Sequence, residues 1–226
     1  MNSDWKRAEE ALRLVEVVGH ENNKPVSVIR FPENLRCIGI GTDAAVFYDP
    51  STPDYAYKVY AAQALEKKDV EAKIYERLEG SRYFPRCYGV GPNYLVLSLE
   101  QGMTLYDCLL HGVPVPEQAI QDVEEARRFV RSLGLNPRDI HLKNVLLQEG
   151  RGKVLDVSEY IKEGNDNRWE HLVWAYQHVY PLISGVKVPL WMLETVTNWY
   201  KRIDTAAFNI EEFAKRVSGL FFGKRK

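Results

Sequence analysis

The sequence predicts an α+β protein: an antiparallel sheet of five strands with one inserted helix, then a smaller and mostly helical part. Three observations predict it. Short β-rich runs, split by Gly, Asp and Pro turn residues, crowd residues 35–99. After Gly102 the apolar period lengthens to that of a helix. Over 226 residues, 45% are hydrophobic and 27% charged, an ordinary soluble composition with enough chain to bury a core without staples. At roughly 100–200 residues per domain this is one domain, or two small lobes sharing a cleft. Wholesale disorder, collagen and a disulfide-dense secreted scaffold are excluded.

The elements follow in order. Trp5, Ala8, Leu12 and Val15 fall on one stripe and predict a helix over residues 3–18, stopped by Gly19 and followed by a loop at His20–Lys24. Leu35–Ile40, Ala45–Tyr48 and Tyr55–Tyr60 read as a three-strand meander. Leu65, Val70, Ile74 and Leu78 mark a helix over 61–79 that ends at Gly80-Ser81. Cys87–Val90 and Tyr94–Leu99 read as two strands around Gly91-Pro92-Asn93. A short helix is expected over 103–111. A longer one is expected over 116–133, with Pro116 in its first turn and Ile120, Val123, Ala126, Val130 and Leu133 on one face. The polar run Asn136–Asn144 interrupts. Val145-Leu146-Leu147 and Lys153-Val154-Leu155 then predict a hairpin ending at Asp156, with helices near 168–180, 189–203 and 209–221.

Charge and cysteine usage narrow the function classes. Lys+Arg is 30 and Asp+Glu 31, so the net charge is -1 and no global basic field for nucleic acid exists. Cys37, Cys87 and Cys108 are widely spaced, without metal-ligand spacing, and read as reduced core thiols. The N-terminus is polar and lacks the apolar core of a signal peptide. No apolar run approaches the roughly 20 residues that span a bilayer. The expected compartment is the cytoplasm, with no membrane partner.

Three groups of residues carry chemistry. Gly39-Ile40-Gly41-Thr42-Asp43-Ala44-Ala45-Val46 lies between two predicted strands, where glycines let a hairpin backbone approach a phosphate. A plain turn explains it equally well, and the strand that follows excludes a dinucleotide fingerprint. Lys58 lies in the third strand; if it faces inward it needs a carboxylate, which Glu71 can supply from the next helix, with Glu76 as a rival. Asp139, Asn144 and Asp156 flank the late hairpin, which can bring two acids and an amide to one edge. Such an oxygen-only set suits Mg²⁺, although a lone loop Asp is more often a turn or cap residue.

In this order the residues resemble the protein-kinase-like superfamily. The resemblance covers about residues 35–180 and rests on Gly-x-Gly-x-x-Ala-x-Val, strand Lys58, helix Glu71, Arg138-Asp139-x-x-x-x-Asn144 and Asp156. It implies a bilobal fold: residues 1–30 as an N-terminal helix and lead-in, 31–100 as an N-lobe and 101–226 as a small C-lobe. It implies ATP between the lobes, with Gly39, Gly41 and Val46 at the phosphate loop and Lys58 on the α- and β-phosphates, oriented by Glu71. Hinge backbone at Leu97, Ser98, Leu99 and Glu100 would meet adenine. Asn144 and Asp156 would hold Mg²⁺, and Asp139 would take the proton of an attacking hydroxyl. The implied activity is a serine/threonine protein kinase acting on an unidentified protein. The alternatives are a small-molecule kinase of the aminoglycoside-phosphotransferase type and a nucleotide-binding pseudokinase.

The departures are specific. Ala44 replaces the third glycine, Pro137 the His before Arg-Asp, and Val157-Ser158 the Phe-Gly after the metal Asp. His141 stands where a Lys is usual and is expected to pack within its loop, leaving Lys143 as a phosphate candidate. No Ala-Pro-Glu follows, and about 70 residues remain after Asp156. In this the chain resembles minimal members of the superfamily, the RIO-type and lipopolysaccharide-kinase-type proteins and small bacterial serine/threonine kinases. The segment Val157–Arg168 holds only Ser158 and Tyr160 as hydroxyls and predicts independence from loop phosphorylation. Trp169, Trp174, Tyr176 and Tyr180 read as core aromatics, and Gly223-Lys224-Arg225-Lys226 as a solvated basic tail.

Overall fold

The chain opens with a helical segment shorter than its apolar stripe predicts. In the computed structural model, which describes residues 4–22, 24–202 and 209–222, a 3-10 turn at Asp4–Ala8 runs into helix α1 (Glu9–Arg13). Residues 16–18, expected to be helical, instead form strand β1 (Glu16–Val18). It pairs antiparallel with β2 (Ser27–Arg30), where a loop and lead-in were expected. Val15, Val17 and Val18 are β-branched; such side chains lose freedom in a helix and fit a pleated hairpin.

The chain divides into two units, Met1–Gln101 and Gly102–Lys226. The first is built on the predicted sheet. Its strands are β3 (Arg36–Ile40), β4 (Ala44–Tyr48), β5 (Tyr55–Tyr60), β6 (Cys87–Val90) and β7 (Tyr94–Ser98). They lie in the order β3-β4-β5-β7-β6, every neighbour antiparallel. The inserted helix α2 (Leu65–Arg77) follows a 3-10 turn at Ala62–Ala64. Register slips at Cys37/Gly39 and Cys87/Gly89 bend the two edge strands.

Strand alternation gives the sheet two different faces. Phe47, Tyr55, Tyr57, Val59, Tyr94 and Val96 form one core with Ala8, Leu12 and Val15, so the N-terminal segment closes that face. The Tyr57 hydroxyl donates to the Trp5 carbonyl at 3.3 Å. Gly89 makes room for the Trp5 indole, since a Cβ there would lie 2.7 Å from the ring. Residues of the other parity, Val46, Lys58 and Leu95, pair in a row across β4, β5 and β7.

The second unit begins with β8 (Met103–Thr104) and α3 (Leu105–His111). The helix expected from 103 starts later because β8 pairs with β9, and the Thr104 side chain accepts the Asp107 N–H as a cap. Helix α4 (Glu117–Ser132) follows, with Pro116 extended outside its first turn rather than within it. Ile120, Val123, Ala126 and Val130 are buried along it, as the periodicity predicts. The hairpin β9 (Val145–Gln148) and β10 (Arg151–Val154) joins β8 in a three-stranded sheet rather than standing alone. Helices α5 (Arg168–His178), α6 (Leu190–Lys201) and α7 (Ile210–Phe222) complete the unit, and a 3-10 turn at Tyr180–Leu182 ends the α5 run early. The basic tail at 223–226 lies outside the described residues. Among those described, no helix is long and apolar enough to cross a membrane.

The aromatics of α5 hold structure. Trp169 is buried and its indole N–H donates to Glu124 at 2.6 Å. Tyr176 and Tyr180 stack at 4.9 Å and clamp Val115 from both sides, one hydroxyl donating to its carbonyl and the other accepting its N–H. Trp174 stacks on His178 at 4.2 Å.

Asp122 locks α4 to the hairpin. It is 1% exposed and accepts from Arg151 at 2.6 and 2.7 Å and from the Gly152 N–H at 3.0 Å. Burial pushes its carboxyl up, but the hydrogen bonds from Arg151, Gly152 and Gln118 outweigh that and hold it below the usual Asp value. A depressed folded pKa means stability that is complete above the unfolded pKa and lost as pH falls through the folded one. Asp122→Asn should cost about 2–3 kcal/mol in urea unfolding at pH 7, and the gap to wild type should shrink at pH 3.

Candidate active site

In the first unit the predicted amine and acid meet. Lys58 donates from Nζ to both Glu71 carboxylate oxygens, at 2.7 and 2.9 Å. Glu71 is fully buried, Lys58 is 13% exposed, and the rival Glu76 is exposed. The Tyr60 hydroxyl, two residues along the same strand face, adds a third hydrogen bond to Glu71 at 2.7 Å. Helical spacing explains the burial: Glu71 shares its face with Ile74 and Leu78, both buried. Removing two charges from water is unfavourable unless they are paired and hydrogen-bonded, and here they are both.

The glycine loop closes beside this row. Gly39 pairs with Val46, which pairs with Lys58, so loop, apolar side chain and amine stand abreast across β3, β4 and β5. The Gly41 N–H donates to the Ala44 carbonyl at 2.8 Å and its carbonyl accepts the Val26 N–H at 2.8 Å. The tip is fastened to α2 by an ion pair from Lys67 to Asp43 at 2.6 Å. At the end of β7 the backbone is already partly committed. The Ser98 N–H donates to the Arg86 carbonyl and the Leu99 N–H to the Asp54 carbonyl, each at 2.8 Å, while the Ser98 hydroxyl donates to Glu100 at 2.5 Å.

In the second unit Asp139 sits in the left-handed region, φ +57°, which costs a non-glycine residue about 1–2 kcal/mol. Side chains on both sides hold it there. Its N–H donates to Asp166 Oδ2 at 2.7 Å, and its carbonyl accepts from Asn144 Nδ2 at 2.7 Å. Asn144, 8% exposed, also accepts the His141 N–H at 2.8 Å through Oδ1. The Leu155 N–H donates to the Asn144 carbonyl at 2.8 Å, which brings Asp156 alongside. Asp139, Asn144 and Asp156 therefore converge. Burial pushes the Asp139 carboxyl up, to about 6; the Arg168 guanidinium pulls it down, and Asp156, Asp166 and Glu159 push it further up.

The donor chemistry of this cluster fits a hard divalent cation. Asn144 Oδ1 and the Asp156 carboxylate are oxygen donors, and Asp139 adds negative charge beside them. Among the described residues no group of three or more His, Cys, Asp or Glu can hold a metal by itself. Two protein oxygens with water and phosphate completing the shell is the arrangement Mg²⁺ favours.

The neighbouring cations are diverted. Arg138 donates to the Glu163 carbonyl. Lys143 places its Nζ over the Tyr106 ring, 4.5 Å from the centroid. His141 accepts the Lys143 N–H at Nδ1. Burial lowers its pKa to about 4, so the ring is neutral near pH 7 and serves the loop, as expected. The open grooves between α4 and α5 and between α5 and α7 are lined by none of the predicted site residues.

A buried Lys–Glu pair set row-wise with a glycine loop, and an Asp-x-x-x-x-Asn loop backed by a further Asp, occur here on a five-stranded sheet and a helical unit respectively. The chain is 34% identical over 189 residues to the Bacillus subtilis protein named "Putative serine/threonine-protein kinase YrzF", covering 82% of this chain and 88% of that one. The chain belongs to the protein-kinase-like superfamily. The mouse testis-specific serine/threonine-protein kinase 3 is 32% identical over 98 residues, 42% of this kinase-like chain and 33% of the mouse protein. A dual serine/threonine and tyrosine protein kinase of Strongylocentrotus purpuratus is 39% identical over 72 residues, 30% of the chain and 8% of the relative. No family model matches.

Sequence reasoning missed Tyr60, Asp166 and Arg168. Tyr60 was within reach, being two residues from Lys58 on one strand face. Asp166 and Arg168 sit in a polar run opening a predicted helix, and only the fold brings them to Asp139.

The Lys58–Glu71 pair predicts a non-additive cycle. Lys58→Met alone should cost about 3 kcal/mol in urea unfolding, because Glu71 stays buried without its cation. Lys58→Met with Glu71→Leu should be more stable than Lys58→Met alone; costs that simply add would refute the pairing as the stabilising feature.

Proposed function

We propose that the chain is an ATP- and Mg²⁺-dependent phosphotransferase, a serine/threonine protein kinase that moves the γ-phosphoryl group of ATP to a protein hydroxyl. The observation that carries this reading is the convergence of Asp139, Asn144 and Asp156 on one braced loop. The buried Lys58–Glu71 pair supports it independently. The match to a bacterial relative over most of both chains adds a third support. The short internal segment between Asp156 and α5 supports the finer grouping with minimal members, RIO-type and lipopolysaccharide-kinase-type among them.

In this reading Lys58, oriented by Glu71, binds the α- and β-phosphate oxygens. Gly39 and Gly41 allow the phosphates a close approach, and Val46 packs against the nucleotide. Ser98, Leu99 and Glu100 offer backbone to adenine; with the Leu99 N–H already donated to Asp54, the carbonyls and the Glu100 backbone carry that contact. Asn144 and Asp156 are the residues that would hold Mg²⁺. When bound, the cation neutralises charge on the phosphate oxygens. Asp139 takes the proton of the attacking hydroxyl, and a carboxyl raised by burial suits that task near neutral pH. Positioning and charge compensation supply most of the acceleration in such transfers.

Contacts within the unit hold the segment after Asp156, which supports independence from loop phosphorylation. Arg138 is engaged on the Glu163 carbonyl, Asn136 holds the Lys162 and Gly164 carbonyls at 2.7 Å, and Tyr160 is 1% exposed. Ser158→Ala should therefore keep full turnover in a labelled-ATP assay, and loss of activity would count against independence from loop phosphorylation.

Two measurements test the function. ATP with Mg²⁺ should raise the melting temperature by mass action, and EDTA should abolish most of the rise. Incubation with labelled ATP should transfer label to protein, with Asp139→Ala and Lys58→Ala each reduced at least about 100-fold. Label on a small molecule instead would make the chain a small-molecule kinase. Nucleotide binding without any transfer would make it a pseudokinase.

A further inference from the structure

Phosphoryl transfer gathers negative charge on the oxygens of the moving group, and the protein must bring cations to them. Among the described residues beside Asp139, three basic side chains already turn to other partners. Arg138 is on the Glu163 carbonyl, and Lys143 is over Tyr106. His141 turns Nδ1 to the Lys143 N–H at 3.2 Å. The fourth is Arg168, the first residue of α5, whose Nη1 is ion-paired with Asp139 Oδ1. Its side chain is 45% exposed, against 34% for Asp139, so it stands on the solvent side of the pair. One carboxylate fixes their spacing: Asp166 accepts the Asp139 N–H through Oδ2 at 2.7 Å and the Arg168 N–H through Oδ1 at 3.1 Å. The guanidinium has five N–H donors in a planar fork, enough to serve a carboxylate and a phosphoryl oxygen in turn.

We propose that Arg168 is a further catalytic residue: it delivers positive charge to the transferred phosphoryl group, and its ion pair with Asp139 is the station from which it moves. This inference rests on the phosphotransferase reading. As the fork shifts to the phosphoryl oxygens, the Asp139 carboxylate is released to take the proton of the acceptor hydroxyl. The acceptor oxygen bonds to phosphorus while the bond from phosphorus to the ADP oxygen breaks, and ADP leaves with that electron pair.

The test is titration calorimetry of wild type, Arg168→Gln and Arg168→Lys with MgADP, alone and with aluminium fluoride as an anionic mimic of the moving group. Steady-state turnover is measured alongside. MgADP affinity should agree within about threefold in all three chains. The tightening produced by aluminium fluoride in wild type should vanish in Arg168→Gln and persist in part in Arg168→Lys. Turnover of Arg168→Gln should fall about 100- to 1,000-fold, with KM for ATP within about threefold. Equal tightening in wild type and Arg168→Gln overturns this inference alone, as does a loss of MgADP affinity in both variants, which would mark a structural role. Wild type that binds no MgADP overturns the phosphotransferase reading and this inference with it.

Discussion

Asp139 is a residue whose every polar group is held. Its N–H goes to Asp166, its carbonyl to Asn144 and its carboxylate to Arg168. These contacts offset a left-handed backbone that an unbraced aspartate would leave. The rest of the second unit's chemistry follows from this constraint. Asn144 can brace the loop only because it is buried where β9 begins, and the same residue's carbonyl takes the Leu155 N–H that sets Asp156 beside it. A loop fixed at both flanks holds its acid in a partly dehydrated position, and this dehydration raises the carboxyl.

The first unit solves a related problem with a sheet. A strand lysine normally turns to solvent, because burying an ammonium is unfavourable. Here the face opposite Lys58 is closed by Trp5, Ala8, Leu12 and Val15, so the sheet does not depend on the lysine's face for its core. On the Lys58 face the amine stands between Val46 and Leu95, and the ammonium is compensated by a carboxylate that accepts three hydrogen bonds. The N-terminal segment thus contributes to the site without touching it.

Legibility in the sequence tracked the range of the interactions. The five strands and α2 were legible because period-2 and period-3.6 apolar patterns are local, and turn residues punctuate them. Lys58 and Glu71 could be paired on paper because one strand parity and one helix face suffice to aim them. The register of β8 against β9 was not legible, since Met103-Thr104 is too short to show a period and is a strand only because Leu146 and Leu147 lie opposite. The β1–β2 hairpin was masked by an apolar stripe that fits a helix up to Val15. The decision there came from β-branched valines and a partner at Ser27–Arg30, which local spacing does not reveal. Arg168 and Asp166 lie far along the chain from Asp139, so no spacing rule reaches them.

Contacts within the second unit hold the segment that follows Asp156. An arginine beside a loop aspartate meets a phosphorylated side chain through the N–H groups that no other acceptor holds. Arg138 is occupied, by a backbone carbonyl of the very segment that such a phosphate would order. Asn136 adds two further carbonyls, and Tyr160 anchors the middle of the segment by accepting the Asn136 N–H at 2.8 Å. Their acceptors are backbone carbonyls, and the Arg138 guanidinium makes its own bond charge-assisted. The short connection from Asp156 to α5 leaves few residues to fix, and these contacts reach both its middle and its end.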